Sequence, residues 1–267
     1  MISMVVTTAF LGAGVALFLT ITYFYRKRAD IARQSQGLTL LKEFRVLVTL
    51  TQQHRGLTNG LLNGDKLLMQ QIRPIQAQVN QAISSLEVEQ WIAKNAEWQD
   101  IKHRWEQICL DHEVMHPEIS LKRHTALIRC ILFLVDDCAE HYRLYEIEHG
   151  EQGSIRFLWQ GILVTAEHIG QARAIGTGVA AAQECSSVDR IRLNYLNQAI
   201  GQIDFLENSK TLDELKATIE SKILVDSEKI SPSDYFGLAT AAIETLLTSF
   251  DKTLEDTHKN LAGSMKS

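Results

Sequence analysis

Proline and cysteine are scarce in this chain, with 3 and 4 respectively in 267 residues. So few prolines exclude a collagen-like or linker-rich protein, and Pro74, Pro117 and Pro232 read as joints between long segments of apolar periodicity. Cys109, Cys130, Cys138 and Cys185 make neither a paired C-x-x-C site nor a small disulfide framework, and read as reduced thiols in a cytosolic compartment. Alternating Val/Ile/Thr runs and Asn-Gly hairpin signals are few, which argues against sheet. Excess basic charge is also missing. A formal net charge of −5 disfavours a nucleic-acid partner. No nucleophile–base spacing, phosphate loop or dinucleotide fingerprint stands out, so neither an enzyme nor a bound cofactor is expected.

Charge itself is missing from the first 25 residues. Met4 to Tyr25 is 22 uncharged residues, a length that covers a hydrocarbon core of about 30 Å at about 1.5 Å per residue, and predicts one transmembrane helix over residues 1–27. Arg26, Lys27 and Arg28 follow it and nothing basic precedes it. The positive-inside rule then predicts a single-pass inner-membrane protein with its remaining domain in the cytoplasm.

What is present beyond residue 28 is helical periodicity. Helices are expected near residues 28–62, 66–86, 88–112, 118–149, 154–184, 187–208, 211–226 and 232–260, with a tail at 261–267. The stretch His149 to Ser154 divides them into halves of four, about 28–149 and 154–260, with Ser154 a helix N-cap. Ser231, Pro232 and Asp234 announce the last helix. The fold class is all-α, two antiparallel four-helix bundles preceded by the transmembrane helix.

Two segments of the halves resemble each other. Gln53 to Gly60 aligns with Gln171 to Gly178, with Gln, Arg and the final Gly coinciding at an offset of 118 residues. Arg55 and Arg173 recur at three- and four-residue steps with apolar residues, so both belong to core-facing stripes. A guanidinium keeps its proton, and burying it requires a carboxylate, carbonyls or a bound anion. Internal partners such as Glu43 or Glu167 would satisfy that requirement, and so would snorkelling to water. Gly56, Gly161, Gly170, Gly176 and Gly178 cost helix propensity, which suits close helix approach or a ligand gap.

These residues carry a resemblance. Leu47 to Asp65, the segment Glu167-His168-Ile169-Gly170-Gln171-Ala172-Arg173-Ala174, and the closing Tyr235, Phe236, Thr240, Ile243 and Leu246 resemble the nitrate- and nitrite-sensing NIT domain, over about residues 40 to 255. The resemblance implies two helical bundles with nitrate or nitrite between them, held by Arg55 and Arg173, with Thr51, Gly56, Gly170 and Gly176 supporting the pocket. It differs from the family in having His54 and Ala172 where an acid often precedes each arginine. Planar nitrate suits two opposed guanidinium forks. The expected function is a membrane-anchored sensor of nitrate, nitrite or a similar small oxyanion that signals through an unidentified partner, with a homodimer left open. The near-continuous helix from the span to Arg55 would let the first helix act as a rod.

Two other readings compete. One is a membrane-tethered helical interaction protein without ligand. The other is a zinc metalloprotease, because His112-Glu113-Val114-Met115-His116 matches H-E-x-x-H. Pro117 counts against the second, since the residue before proline is pushed out of helical geometry. No metal is expected.

Overall fold

The computed structural model describes residues 2–148, 154–202, 209–225 and 230–264, and the side chains of residues 2–13 and 15 are outside that description. Within it the chain is all-helical, and one isolated bridge between Glu148 and Ser154 is the extended pairing among the described residues. Helix α1 runs Ile2–Leu62, followed by α2 Met69–Glu87, α3 Gln90–Ala93, α4 Ala96–Asp111 and α5 Pro117–His141. Helices α6 Val164–Ala182, α7 Ser187–Ile200, α8 Lys210–Thr218 and α9 Pro232–Ser264 complete it. The expected break at residues 149–153 and the end of the sixth expected helix at 203–208 lie outside the described residues.

The helix ends follow from local chemistry. Pro117 and Pro232 occupy first-turn positions, where the missing amide hydrogen is not needed. The Ser231 hydroxyl accepts from the Asp234 amide at 3.0 Å. Asn95 caps α4 by accepting from Glu97 and Trp98, which divides the expected 88–112 helix in two. Pro74 departs from expectation: it lies inside α2, where it leaves the Gln70 carbonyl without an intrahelical donor. The stretch before α6, Leu158–Leu163, is a π-helical turn.

Packing sorts the helices into two groups. Helix α1 lies against α2 and α5, and α5 against α4; α6 lies against α7 and α9, and α8 against α7 and α9. Helix α1 also meets α6 and α9, which joins the groups. Phe44, Trp98, Trp159, Tyr235 and Phe250 are fully buried in one continuous core. Gly37 permits the end of α5 to come close, since a Cβ there would lie 2.4 Å from Tyr142 Cβ. Helix α1 therefore passes Gly37 without a break. All four cysteines are free thiols, and burial pushes Cys109 and Cys138 up to about 12.

The transmembrane expectation is overturned. Among the described residues no helix is long and apolar enough to cross a membrane. Residues 4–13 of the expected span lie outside the described side chains. The described part of that span, Gly14 and residues 16–25, is shorter than the about 20 residues a crossing needs and runs directly into Arg26, Lys27 and Arg28. The inner-membrane, single-pass localisation is withdrawn with it.

Candidate functional site: an arginine cleft between the helix groups

Three turns of α1 and three of α6 face each other. On α1, Gln52, Arg55, Gly56, Asn59 and Gly60 recur at three- and four-residue steps and so share one face. On α6, Gly170, Arg173, Ala174, Thr177, Gly178 and Ala181 do the same. Between them opens a cleft of about 1240 Å³, closed on its other sides by the first turns of α2 and α9. Arg55 and Arg173 both line this cleft, and they are its charged lining residues among those described.

The two arginines are in different states. Arg55 is 1 % exposed and forms a two-pronged ion pair with Glu167: Nη1 donates to Oε1 at 2.6 Å and Nη2 to Oε2 at 3.2 Å. Gln171 Nε2 donates to Oε1 at 3.0 Å and Gln52 Nε2 to Oε2 at 2.9 Å, so each carboxylate oxygen has two donors. Arg55 Nη1 also donates to the Thr125 hydroxyl at 3.2 Å. Gly170 makes the approach possible, because a Cβ there would stand 2.6 Å from Arg55 Nη2. Burial without such a carboxylate would be severely unfavourable.

Arg173 has no carboxylate partner among the described residues. Its Nη1 donates to the Thr240 hydroxyl at 2.8 Å, and its Cζ lies 4.7 Å over the Phe236 ring. Burial first, then the field of Arg55, lowers its pKa to about 10, with Glu167 opposing; it stays charged at neutral pH. One turn further on α6, Thr177 also lines the cleft, and its buried hydroxyl has no hydrogen-bond partner. A buried hydroxyl without a partner is uncommon and is available to a ligand.

Of the other expected pocket residues, Gly56 and Gly170 line the cleft, whereas Thr51 and Gly176 do not. Thr51 is fully buried with its hydroxyl donating to the Leu47 carbonyl at 2.8 Å. Gly176 lies under Tyr235, where a Cβ would meet the ring at 2.4 Å. Tyr235 in turn donates from its hydroxyl to the Ala172 carbonyl at 3.0 Å, tying α9 to α6 directly behind Arg173. Gln52 and Thr177 were not singled out from sequence. Both lie one helical turn from an arginine on the same face, the signal that could have found them.

Behind Arg55 sits a buried histidine pair. The rings of His54 and His124 are joined Nδ1 to Nε2 at 2.8 Å, and His124 Nδ1 is 2.8 Å from the Ser120 carbonyl it donates to. Burial, then neighbouring histidines, lowers His54 to about 3; burial is also the main cause that brings His124 to about 4. The H-E-x-x-H segment is split between helices. His112 caps the end of α4, and His116 sits in extended backbone at the start of α5, so the two rings do not share a helical turn. Among the described residues no group of side chains is arranged to hold a metal.

Fold and site together define an all-helical protein with an arginine-bearing cleft between two helix groups. Among solved structures, the chain is similar to one described as the NasR transcription antiterminator, with a TM-score of 0.70 and 16% sequence identity over 95% of this chain and 75% of that one. At that identity the likeness is one of fold. No family model matches the chain, and no curated protein matches it.

Proposed function

We propose that this protein is a non-enzymatic sensor of nitrate, nitrite or a similar small oxyanion. On this reading two antiparallel four-helix bundles hold the anion in the cleft between α1 and α6 and pass the signal to a protein partner. The carrying observation is Arg173: a charged, half-buried guanidinium without a carboxylate, in the same open cleft as Arg55, with the unpartnered Thr177 hydroxyl beside it. A planar anion meeting a guanidinium edge gains paired, charge-assisted hydrogen bonds. The resemblance of the arginine segments to the NIT domain supports the ligand class. The fold likeness to an antiterminator is compatible with a signalling role.

Arg55 enters this reading differently from a simple pair of opposed forks. Its guanidinium already has a carboxylate, so the anion meets Arg173, and Arg55 with its partner forms the neighbouring wall of the cleft. Capture would draw α6 towards α1, a single helix through residue 62 that can transmit a slide or rotation as a rod.

The test is thermal unfolding of the purified chain in nitrate, nitrite, chloride and sulfate. A ligand that binds only the folded state stabilises it by about 2.7 kcal/mol at 100 times its dissociation constant. Nitrate or nitrite is expected to raise the midpoint in wild type and not in Arg173→Ala. Equal midpoints with every anion contradict the proposal.

A further inference from the structure

The walls of the cleft are electrically simple. Arg55 and Arg173 are the charged residues lining it among those described, and much of the remaining polar lining is carboxamide, with Gln53, Asn59, Gln70 and Gln71 among them. The Arg55 charge is cancelled at its origin by Glu167, a residue that is only 4 % exposed and does not itself line the cleft. What an entering ion meets is one uncompensated positive charge, that of Arg173, within neutral surroundings. We infer that Glu167 is a specificity-determining residue: by neutralising Arg55 it fixes the cleft at a net charge of +1 and so selects singly charged anions over doubly charged ones.

The inference rests on the sensor reading of the cleft, and its chemistry follows from desolvation. An ion that leaves water loses hydration free energy growing with the square of its charge, whereas its attraction to a fixed site grows only linearly. A cleft of charge +1 can compensate a monoanion such as nitrate or nitrite. It leaves a dianion such as sulfate with a negative charge uncovered by any cation in the wall. Gln52 and Gln171 hold Glu167 in place from both sides, which keeps the count fixed whether or not an anion is present.

The experiment is calorimetric titration of potassium nitrate and potassium sulfate, at constant ionic strength, into the purified chain and a charge series. Wild type is expected to bind nitrate more tightly than sulfate. Glu167→Gln raises the cleft to +2 and is expected to shift the nitrate-to-sulfate affinity ratio towards sulfate by about tenfold or more. The double variant Arg55→Gln with Glu167→Gln returns the count to +1 and is expected to restore the wild-type ratio. Should Glu167→Gln not fold, Ala174→Lys adds the second charge to the wall beside Arg173 without touching the ion pair, and the same shift is expected. A ratio unchanged by both added-charge variants, or wild type binding sulfate as tightly as nitrate, overturns the inference while leaving an anion cleft in place. Wild type binding neither salt removes the sensor reading itself, and this inference with it.

Discussion

Arg55 and Arg173 occupy matching positions in similar segments of the two halves, yet one is sealed and the other is not. Arg55 meets Glu167 from the opposite half across a separation of 112 residues, with Gln52, Gln171 and Thr125 completing the arrangement. Arg173 has a threonine hydroxyl and an aromatic face. The difference teaches that equal sequence motifs need not be equal electrostatic sites. Glu167 lies on the helix that carries Arg173 but spends its charge on the other arginine, so the half that supplies the acid is the half left with a free cation.

The sharpest way to break this asymmetry is to remove the acid. Glu167→Ala strands a buried guanidinium and is expected to cost about 3–5 kcal/mol in urea unfolding, whereas Arg173→Ala should change stability by no more than about 1 kcal/mol. Equal losses would mean that both arginines are structural.

Acid should strike the Arg55 half next. His54 and His124 are buried neutral with pKa values near 3 and 4, below the ordinary 6.5 they regain on unfolding. Depressed values of this kind contribute stability that is complete above about pH 6.5 and is lost as pH falls towards 4 and then 3. Unfolding free energy at pH 5.5 is expected to be about 2 kcal/mol lower than at pH 7.5, and His124→Gln should remove about half of that dependence. A flat profile would mean the rings are not buried as a neutral pair.

Glycines sharpen the comparison at smaller scale. Gly170→Ala presses a methyl group onto Arg55 Nη2, which the Glu167 carboxylate keeps from retreating, and should cost about 2 kcal/mol. Gly56→Ala has nothing within 4 Å of its new Cβ and should stabilise α1 by about 0.5–1 kcal/mol, the ordinary helix propensity difference. Both follow from chemical denaturation. A loss at Gly56 equal to that at Gly170 would show that the cleft closes in solution.

Much of this was legible in the sequence. Three- and four-residue apolar steps gave helices through both halves, Ser231-Pro232 marked the start of α9, and the rows of Arg55 and Arg173 read as core-facing, whereas a cleft shared by the two was implied only by the family resemblance. Periodicity says which face of a helix is buried but not which residue of another helix meets it. Glu167 could be named as a possible partner of an arginine, and Gln171 is its i+4 neighbour, yet nothing local decides that its other donors come from Arg55 and Gln52 rather than from the nearer Arg173. The His54–His124 bond joins α1 to α5 and has no local signature either. The uncharged amino-terminal run set the transmembrane expectation by its length alone, and among the described residues no helix is long and apolar enough to meet it.

The most direct test of an Arg173-centred anion cleft is a crystal structure of the chain grown with nitrate. A planar ion is expected within hydrogen-bonding distance of the Arg173 guanidinium and the Thr177 hydroxyl, with the Arg55–Glu167 pair intact. An empty cleft at saturating nitrate, or an ion bound at Arg55 with Glu167 displaced, would contradict it.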